Sequence, residues 1–112
     1  MKIDLLVSQM QNKAQETNSG ILGFSENEIV LFQNNPNPFS TDTEIRMVLP
    51  ETSKQADLII YNLEGKQLKA INIHERGNVV TKILSYELSA GMYMYTLIVD
   101  SKVIDTKRMI LK

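Results

Sequence analysis

The chain has 112 residues, the length of one domain, and its 43% hydrophobic and 22% charged residues match an ordinary folded protein. This composition excludes a disordered or collagen-like chain, and no apolar run reaches the roughly 18 residues that a membrane-spanning helix needs. The absence of cysteine excludes a disulfide framework, a thiol nucleophile and cysteine-ligated metal sites. Composition therefore limits the class of protein without indicating a function.

The net charge of −1 is divided unevenly along the chain. Residues 25–65 carry seven acidic side chains against two basic ones, whereas residues 66–112 carry eight basic side chains against four acidic ones. This basic excess is too weak and too local for a nucleic-acid interface, so we expect no nucleic-acid partner. The basic residues of 102–112 are typical of an edge strand protected from aggregation, and they also suit a small recognition patch.

The first 25 residues are predicted to be the end of an upstream helix followed by a flexible linker. Within Met1–Glu16, apolar residues recur at helical spacing, at Ile3, Leu6, Met10 and Ala14. One short stripe does not sustain an isolated helix in water, so we expect the tail of a longer helix or coiled coil. Small and polar residues then break the pattern, at Asn18, Ser19, Gly20 and Gly23. We place the boundary there, with residues 1–25 upstream of a domain at 26–112.

From Glu26 onward the apolar period changes to two residues, which predicts β-strands. The candidate strands, in chain order, are Glu28–Gln33, Glu44–Leu49, Ala56–Tyr61, Lys66–Ile73, Val79–Ile83, Met92–Val99 and Val103–Leu111. Seven short strands at fairly even spacing, with no helix among them, predict an all-β antiparallel sandwich. Met92–Val99 is apolar on both faces, which is typical of a central strand.

Turn residues separate these strands. Asn62–Gly65 suits a type I turn with Gly65 in the left-handed region, closing a hairpin. Ser89–Gly91 and Asp100–Lys102 are predicted to be further tight connections, and His74 is predicted to lie near a hairpin tip before Gly77.

The sequence contains no recognisable catalytic or cofactor motif. His74 is the only histidine and is expected to be a solvated loop residue. The carboxylates are scattered, and no nucleophile motif or phosphate-binding glycine loop is present. A calcium site is the weak alternative, and its candidate oxygen ligands match no known loop pattern; they are Asn34, Asn35, Asn37 and Asp42. We therefore expect neither an enzyme nor a bound cofactor or metal.

The segment Asn34–Phe39 is the most unusual in the chain. Its two X-Pro units favour extended backbone, and its asparagines can bond their own backbone. We predict a rigid crossover between the first two strands, with Phe39 as an anchor in the core. Tyr93 and Tyr95 share one face of the strand after Gly91, where sheet packing is favoured over a ligand platform.

Taken in order, several segments resemble the C-terminal sorting domain (type A) of the type IX, or Por, secretion system. The matching segments are Leu31–Phe39, Thr43–Ile45, Leu49–Pro50, Leu58–Asn62 with Gly65, Leu88–Tyr93, Val99–Lys102 and Lys107–Leu111 before Lys112. They span about Val30 to Lys112. Several separate motifs in register make this resemblance specific.

The resemblance implies an immunoglobulin-like sandwich at the end of secreted cargo in Gram-negative bacteria. It implies passage through the periplasm to the cell surface or the medium, with the outer-membrane type IX machinery and its processing peptidase as partners. The family's domain is commonly removed by that peptidase while the cargo is attached to a surface lipopolysaccharide. We therefore expect this chain to be the terminal fragment of a longer protein with an upstream cargo domain.

By position, the resemblance assigns sorting-motif residues in three places along the chain. They are Pro36, Asn37 and Pro38 early in the domain, Gly91 and Tyr93 late in it, and Lys107, Arg108 and Lys112 at its end. Ser101 stands where family members often have glycine in the last hairpin turn. A left-handed residue there is mildly strained in serine, which leaves the turn type open.

A physical hypothesis follows for the signal. An exposed last strand offers basic side chains together with free edge amides for β-augmentation. Cleavage is predicted in the linker between Gln15 and Glu26, because a peptidase binds exposed flexible chain.

Two other functions stay open from the residues alone. A module binding carbohydrate or protein needs an aromatic platform, yet the chain has only seven aromatic residues and no tryptophan. A structural cap on a coiled-coil fibre predicts a stable dimer or trimer.

Overall fold

The computed structural model describes residues 28–112. The predicted helix fragment, the linker and the boundary after residue 25 lie outside the described residues. Within them the chain forms seven strands and one short 3-10 helix, in an all-β antiparallel architecture that confirms the prediction. The elements are β1 (Val30–Leu31), β2 (Asp42–Leu49), β3 (Ala56–Asn62), β4 (Gln67–Asn72), β5 (Gly77–Leu84), the 3-10 helix Ser85–Glu87, β6 (Gly91–Val99) and β7 (Lys102–Leu111).

The strands form two antiparallel sheets. The smaller sheet has the order β1-β2-β5, and the larger has the order β4-β3-β6-β7. In the larger sheet Leu58 of β3 lies opposite Leu97 of β6, and Tyr93 of β6 lies opposite Met109 of β7. β6 is therefore a central strand, as predicted, and β7 is an edge strand. Residues 28–112 contain no helix that is long and apolar enough to span a bilayer.

The core fills the space between the two sheets because alternate residues of each strand point inward. The largest fully buried side chains are Tyr95, Phe39, Ile45, Met47, Leu49, Leu58, Ile60, Ile83, Leu97, Met109 and Thr43. Each buried large aliphatic or aromatic side chain contributes roughly 1.5–3 kcal/mol through removal of apolar surface from water. Phe39 is 1% exposed, so its predicted role as a core anchor is confirmed.

The first strand is shorter than predicted because its regular pairing with β2 is interrupted after Phe32. The pairing resumes at Asn35, whose N–H and carbonyl both form hydrogen bonds of 3.0 Å with Glu44 of β2. The Phe32 N–H still donates to the Arg46 carbonyl at 3.0 Å, but the Asn34 N–H turns away to a side chain of the other sheet. Residues 33–39, which we call the strap, then connect β1 to β2. The strap reaches across to the larger sheet, where Phe39 forms a parallel bridge with Leu111 of β7.

Two predicted turns are confirmed and two connections differ. Gly65 has φ +87° and its N–H donates to the Asn62 carbonyl at 3.0 Å, which closes the β3–β4 hairpin. β6 and β7 are joined by Asp100 and Ser101, whose φ angles are +48° and +69°. The segments before β5 and before β6 pass from one sheet to the other. His74 is therefore exposed in a crossover and not at a hairpin tip, and Ser89–Gly91 ends a crossover that contains the 3-10 helix.

Candidate functional site

Backbone and side-chain groups of the strap form hydrogen bonds with the backbone at the end of β7. The Phe39 N–H donates to the Ile110 carbonyl at 2.9 Å, and the Lys112 N–H donates to the Phe39 carbonyl at 2.8 Å. The Ile110 N–H donates to Oδ1 of Asn37 at 2.9 Å, and the Gln33 side-chain amide donates to the Arg108 carbonyl. The early proline-rich motif and the closing basic motif, more than 70 positions apart, thus form one structural unit.

This pairing corrects the hypothesis of free edge amides along the last strand. The N–H groups of Ile110 and Lys112 already have acceptors in the strap. A partner strand that added to this edge would first have to displace the strap. The hypothesis of free edge amides is therefore wrong for residues 108–112, and at this end of β7 side chains are the means of contact.

A buried polar network anchors the strap to the core of the larger sheet. The Tyr95 hydroxyl accepts the Asn34 N–H at 2.7 Å and donates to the Phe32 carbonyl at 2.8 Å. The Asn34 side-chain amide donates to Oγ1 of Thr43 at 3.0 Å, and Thr43 donates to the Pro36 carbonyl at 2.7 Å. Buried polar groups that all have partners define one geometry, so this network fixes the path of the strap.

Burial governs the ionisation of Tyr95. The ring is fully buried, and desolvation raises the pKa of Tyr95 to about 12; the Asn34 N–H bond opposes this rise and the Asp105 charge adds to it. The hydroxyl is therefore neutral at physiological pH and is able to donate to Phe32. The predicted packing role of Tyr93 and Tyr95 is confirmed, since both lie in the core, but Tyr95 also positions the strap.

The exposed residues of the early motif serve the strap geometry. Pro36, Asn37 and Pro38 are exposed, and both peptide bonds that precede the prolines are cis. The Oδ1 atoms of Asn34 and Asn37 accept protein N–H groups, so these oxygens hold the fold together. In the described part of the chain, no three histidine or acidic side chains come together as a metal site.

Gly91 and Tyr93 hold the start of β6. Gly91 has φ +153°, a conformation that side chains rarely adopt, although a Cβ there would meet nothing within 4 Å. The Tyr93 ring is buried and its hydroxyl donates to the Ser89 carbonyl. Both residues of the late motif therefore have a structural explanation.

A shallow cavity of about 350 Å³ lies beside Tyr93, between β4 and the 3-10 helix. Its charged groups pair with each other, since Lys69 Nζ lies 2.7 Å from Oε2 of Glu87. This hydrogen bond holds the pKa of the Glu87 carboxyl below its usual range. The cavity therefore presents a neutralised ion pair.

The three basic residues at the end of the chain do not form one patch. Lys107 lies on the inner face of β7, as Met109 and Leu111 do, and its Nζ is 3.4 Å from Oδ2 of Asp105. Arg108 points to the opposite, outer face and is exposed. Lys112 follows Arg108 and Ile110 at two-residue spacing, which places it on the same outer face, and it is also exposed. Because successive strand residues alternate between faces, Lys107 and Arg108 present their charges on opposite faces, and the sorting role assigned to all three cations stays a prediction.

Sequence reasoning also missed the residues that join the motifs. Gln33, Asn34 and Thr43 lie in the segments that resemble the family but were not among the sorting-motif residues, and Tyr95 was interpreted as packing alone. The one available signal was the position of Tyr95 two residues after Tyr93, on the same face of a strand. Its hydrogen-bond partners lie about 60 positions away along the chain, where no local pattern points to them.

A comparison with solved structures bears on the fold. Among solved structures, the fold is similar to the BSP domain of a biofilm-associated protein, with a TM-score of 0.50 and 12% sequence identity over 72% of this chain. The match covers only 14% of that protein's chain, so it concerns the fold alone. No curated protein matches the chain.

The family comparison covers most of the described residues. The family model of the secretion system C-terminal sorting domain matches residues 35–112, which include the strap from Asn35, all strands after β1 and the basic end. The chain therefore belongs to this family, and residues 35–112 are a C-terminal sorting signal of the type IX secretion system.

Proposed function

We propose that the secretion machinery recognises this sorting signal at the strap-bound end of β7, with Arg108 and Lys112 as the contacting side chains. The observation that carries the proposal is the hydrogen bonding of the strap to residues 108–112, which orders the last residues of the chain. An ordered strand presents its exposed cations without the entropy cost of fixing a frayed terminus at the moment of binding.

The other motif residues act through the fold in this proposal. Pro36, Asn37 and Pro38 shape the strap, while Gly91 and Tyr93 hold the strand that pairs with β7. Lys107 neutralises Asp105 beside the core. The domain acts by being bound and performs no catalysis of its own.

We further propose an immunoglobulin-like sandwich over residues 26–112, preceded by the end of an upstream helix and a linker in residues 1–25. Seven antiparallel strands in sheets of four and three support this description, because constant-type immunoglobulin domains have that division. The peptidase of the system cleaves between Gln15 and Glu26. The upstream cargo then reaches the cell surface or the medium by way of the periplasm.

An export assay tests the proposed recognition. The whole 112-residue chain is fused behind a periplasm-targeted fluorescent protein in a Gram-negative bacterium with a type IX system. We expect fluorescence at the surface or in the medium, and loss of that fluorescence in a translocon mutant. The double variant Arg108→Ala, Lys112→Ala should lower the exported fraction by about tenfold, the effect of losing roughly 1.4 kcal/mol of binding.

Lys107→Ala is the matched control, since it removes a neighbouring cation from the opposite face. We expect its export to stay within about twofold of the original chain, because a half-exposed ion pair contributes little to stability. Circular dichroism of the purified chains verifies that each variant folds. Normal export of the double variant, or an equal loss in Lys107→Ala, would remove the outer-face cations from the proposal.

A further inference from the structure

We propose that the outer face of the larger sheet, which continues from Arg108, is a docking surface for an apolar protein surface that carries carboxylates. This inference rests on the proposed function and names the chemistry of the partner at the same site. The proposed surface is formed by the outward residues of β3, β6 and β7. Ala70 and Asn72 of β4 lie on the same face, at the edge of the sheet away from Arg108.

Apolar side chains occupy most of the outward positions of these strands. They are Ile59 and Tyr61 on β3, Met92, Met94 and Ile98 on β6, and Val103 and Ile110 on β7. Val103 is 67% exposed and Met92 is 38% exposed, whereas Ile59 is buried at 8% and contributes little accessible surface. A sheet face that meets water normally alternates to polar residues. No third layer covers this face within residues 28–112.

The smaller sheet provides an internal standard for comparison. Its outward positions on β2 and β5 are mostly polar or charged, and they include Asp42, Glu44, Arg46, Asn78 and Lys82. The other three outward positions of these strands are apolar, at Val48, Val80 and Leu84, and Val80 is the most exposed of them at 47%. The apolar share of outward positions is therefore larger on β3, β6 and β7 than on β2 and β5 of the same domain.

The apolar residues and the cations form one continuous surface. Tyr61, Met94 and Arg108 lie directly opposite one another across three adjacent strands. Met92 lies opposite Ile110, between the positions of Arg108 and Lys112. Oγ1 of Thr96 and Oγ1 of Thr106 are 2.8 Å apart on the same face, so their hydrogen-bonding groups satisfy each other.

The charges on this face identify the occupant. Neither Arg108 nor Lys112 forms an ion pair with another of residues 28–112. Asp57 lies towards the other end of the sheet, and its carboxylate accepts hydrogen bonds from Asn72 and Gln55. The face therefore combines an apolar centre with a cationic border along β7. Its complement is an apolar patch with carboxylates positioned to meet Arg108 and Lys112.

A protein surface fits these features better than an anionic membrane. Recognition of acidic lipid typically uses clusters of about 4–8 cations, whereas this face has two. The Asp57 carboxylate on the same face would be repelled by anionic headgroups. Carboxylates on a protein, in contrast, need to match only the two cations at one border.

Charge variants at Met92 test the inference in the export assay. Met92→Glu places an acid beside Arg108 and Lys112, where it repels the partner's carboxylates, and we expect export to fall by about tenfold or more. Met92→Lys also removes apolar contact but keeps the favourable sign of charge, so its loss should be at most about threefold. Val80→Glu and Val80→Lys are the matched controls on the smaller sheet and should export as the original chain does.

Each result decides a distinct point. Normal export of both Met92 variants would overturn the docking surface, and equal losses in both would overturn the carboxylate-bearing partner. Equal losses in the Val80 variants would show that the effect does not belong to this face. If the Arg108→Ala, Lys112→Ala variant exports normally, the proposed function itself fails, so the two failures are distinguishable.

A direct binding measurement tests the membrane alternative. The purified chain is mixed with vesicles of phosphatidylglycerol and phosphatidylethanolamine and sedimented. We expect the chain to stay in the supernatant. Co-sedimentation that Arg108→Ala and Met92→Glu both abolish would replace the protein partner with an acidic lipid surface.

Discussion

The two halves of the last strand are held in different ways. Residues 108–111 are paired with β6 on one side and with the strap on the other, and Met109 and Leu111 are buried. Residues 102–107 are paired with β6 across a register shift between Leu97 and Ile98. Here the side chain of Asp105 accepts the N–H of Thr106 at 2.8 Å, and Val103 is largely exposed.

This difference reverses the usual gradient of order at a chain end. Terminal residues generally fray because few contacts hold them. Here the terminal half of β7 has more partners than the half that precedes it, and the strap supplies them. We call the hydrogen bonds between the strap and residues 108–112 the clamp. A sorting signal in this segment benefits from the clamp, since ordered side chains bind at lower entropic cost.

Truncation of Phe39, which anchors the strap in the core, should cause the largest loss of stability. Phe39→Ala empties a fully buried site in contact with the end of β7, and we expect the free energy of unfolding to fall by about 3–5 kcal/mol. Urea denaturation measures this loss. Hydrogen exchange should show faster exchange at the amides of Ile110 and Lys112 than in the original chain.

Phe32→Ala is the matched control for Phe39→Ala, because Phe32 is 40% exposed and precedes the strap. Its effect should stay within about 1 kcal/mol, as for most partly exposed positions. Comparable losses for the two phenylalanines would contradict the anchoring role of Phe39.

Removal of the Tyr95 hydroxyl should cause the next largest loss of stability. Tyr95→Phe keeps the ring but leaves the buried Asn34 N–H and Phe32 carbonyl without their partner, at a cost of about 1–3 kcal/mol. Denaturation by urea at neutral pH gives the value. An unchanged midpoint would mean that water or a shift of the strap satisfies both backbone groups.

The same hydroxyl predicts a pH dependence with a definite sign. The pKa of Tyr95 is raised by burial to about 12 in the folded chain, so the unfolded chain loses this proton first as pH rises. The contribution of this group to the free energy of unfolding is therefore fully present below about pH 10 and is lost between about pH 10 and 12, by up to roughly 3 kcal/mol. Tyr95→Phe should lack this component, and an identical alkaline decline in both chains would refute the assignment to Tyr95.

Asn37 offers a smaller and more local test. Asn37→Ala removes the side-chain acceptor of the Ile110 N–H, and the exposed position limits the loss of stability to about 1 kcal/mol. Hydrogen exchange at Ile110 should accelerate while exchange in β3 stays unchanged. Asn37→Asp retains an acceptor oxygen and should restore protection at Ile110; unprotected exchange there would show that the hydrogen bond is unimportant for the clamp.

Much of the architecture was predictable because the alternation of apolar and polar residues along a strand can be read from a few neighbouring positions. The spacing of Ile45, Met47 and Leu49 determines which face of β2 is buried, and it did so correctly. The same rule separates Lys107 from Arg108, because adjacent residues on a strand face opposite ways. That inference was available from the sequence, but the resemblance assigns these cations by their position in the motif and not by the face on which they lie.

The clamp was not predictable from local pattern. The strap's proline and asparagine residues indicate a rigid connection, and they say nothing about which strand it contacts. The bridge from Phe39 to Leu111 and the bond from Asn34 to Tyr95 depend on how the two sheets are stacked. The interruption after β1 has the same origin, since the Asn34 N–H bonds to Tyr95 of the larger sheet while the next residue, Asn35, pairs with Glu44 of β2.

A substitution in the turn between β6 and β7 should cause the smallest change in stability, and this change should be a gain. Both of its residues have positive φ, which identifies a type I′ hairpin, and Ser101 at φ +69° carries a side chain where glycine is preferred. Asp100 also has a positive φ, and its hydrogen bonds offset this strain: Oδ1 accepts the N–H groups of Lys54 and Gln55 at 2.9 Å. These bonds, from Gln55 first and then Lys54, keep the pKa of the Asp100 carboxyl below its usual range. The turn is thus tied to the β2–β3 connection through Asp100, and Ser101 makes no comparable contact.

Ser101→Gly should therefore raise the free energy of unfolding by a few tenths of a kcal/mol to about 1 kcal/mol, since it relieves left-handed strain but adds freedom to the unfolded chain. Thermal unfolding of the two chains at equal concentration measures the change. Because the turn borders the less constrained half of β7, protection should rise at residues 102–107 and stay constant at 108–112. A gain confined to 108–112 would mean that the two halves of the strand are coupled more strongly than their separate hydrogen bonds indicate.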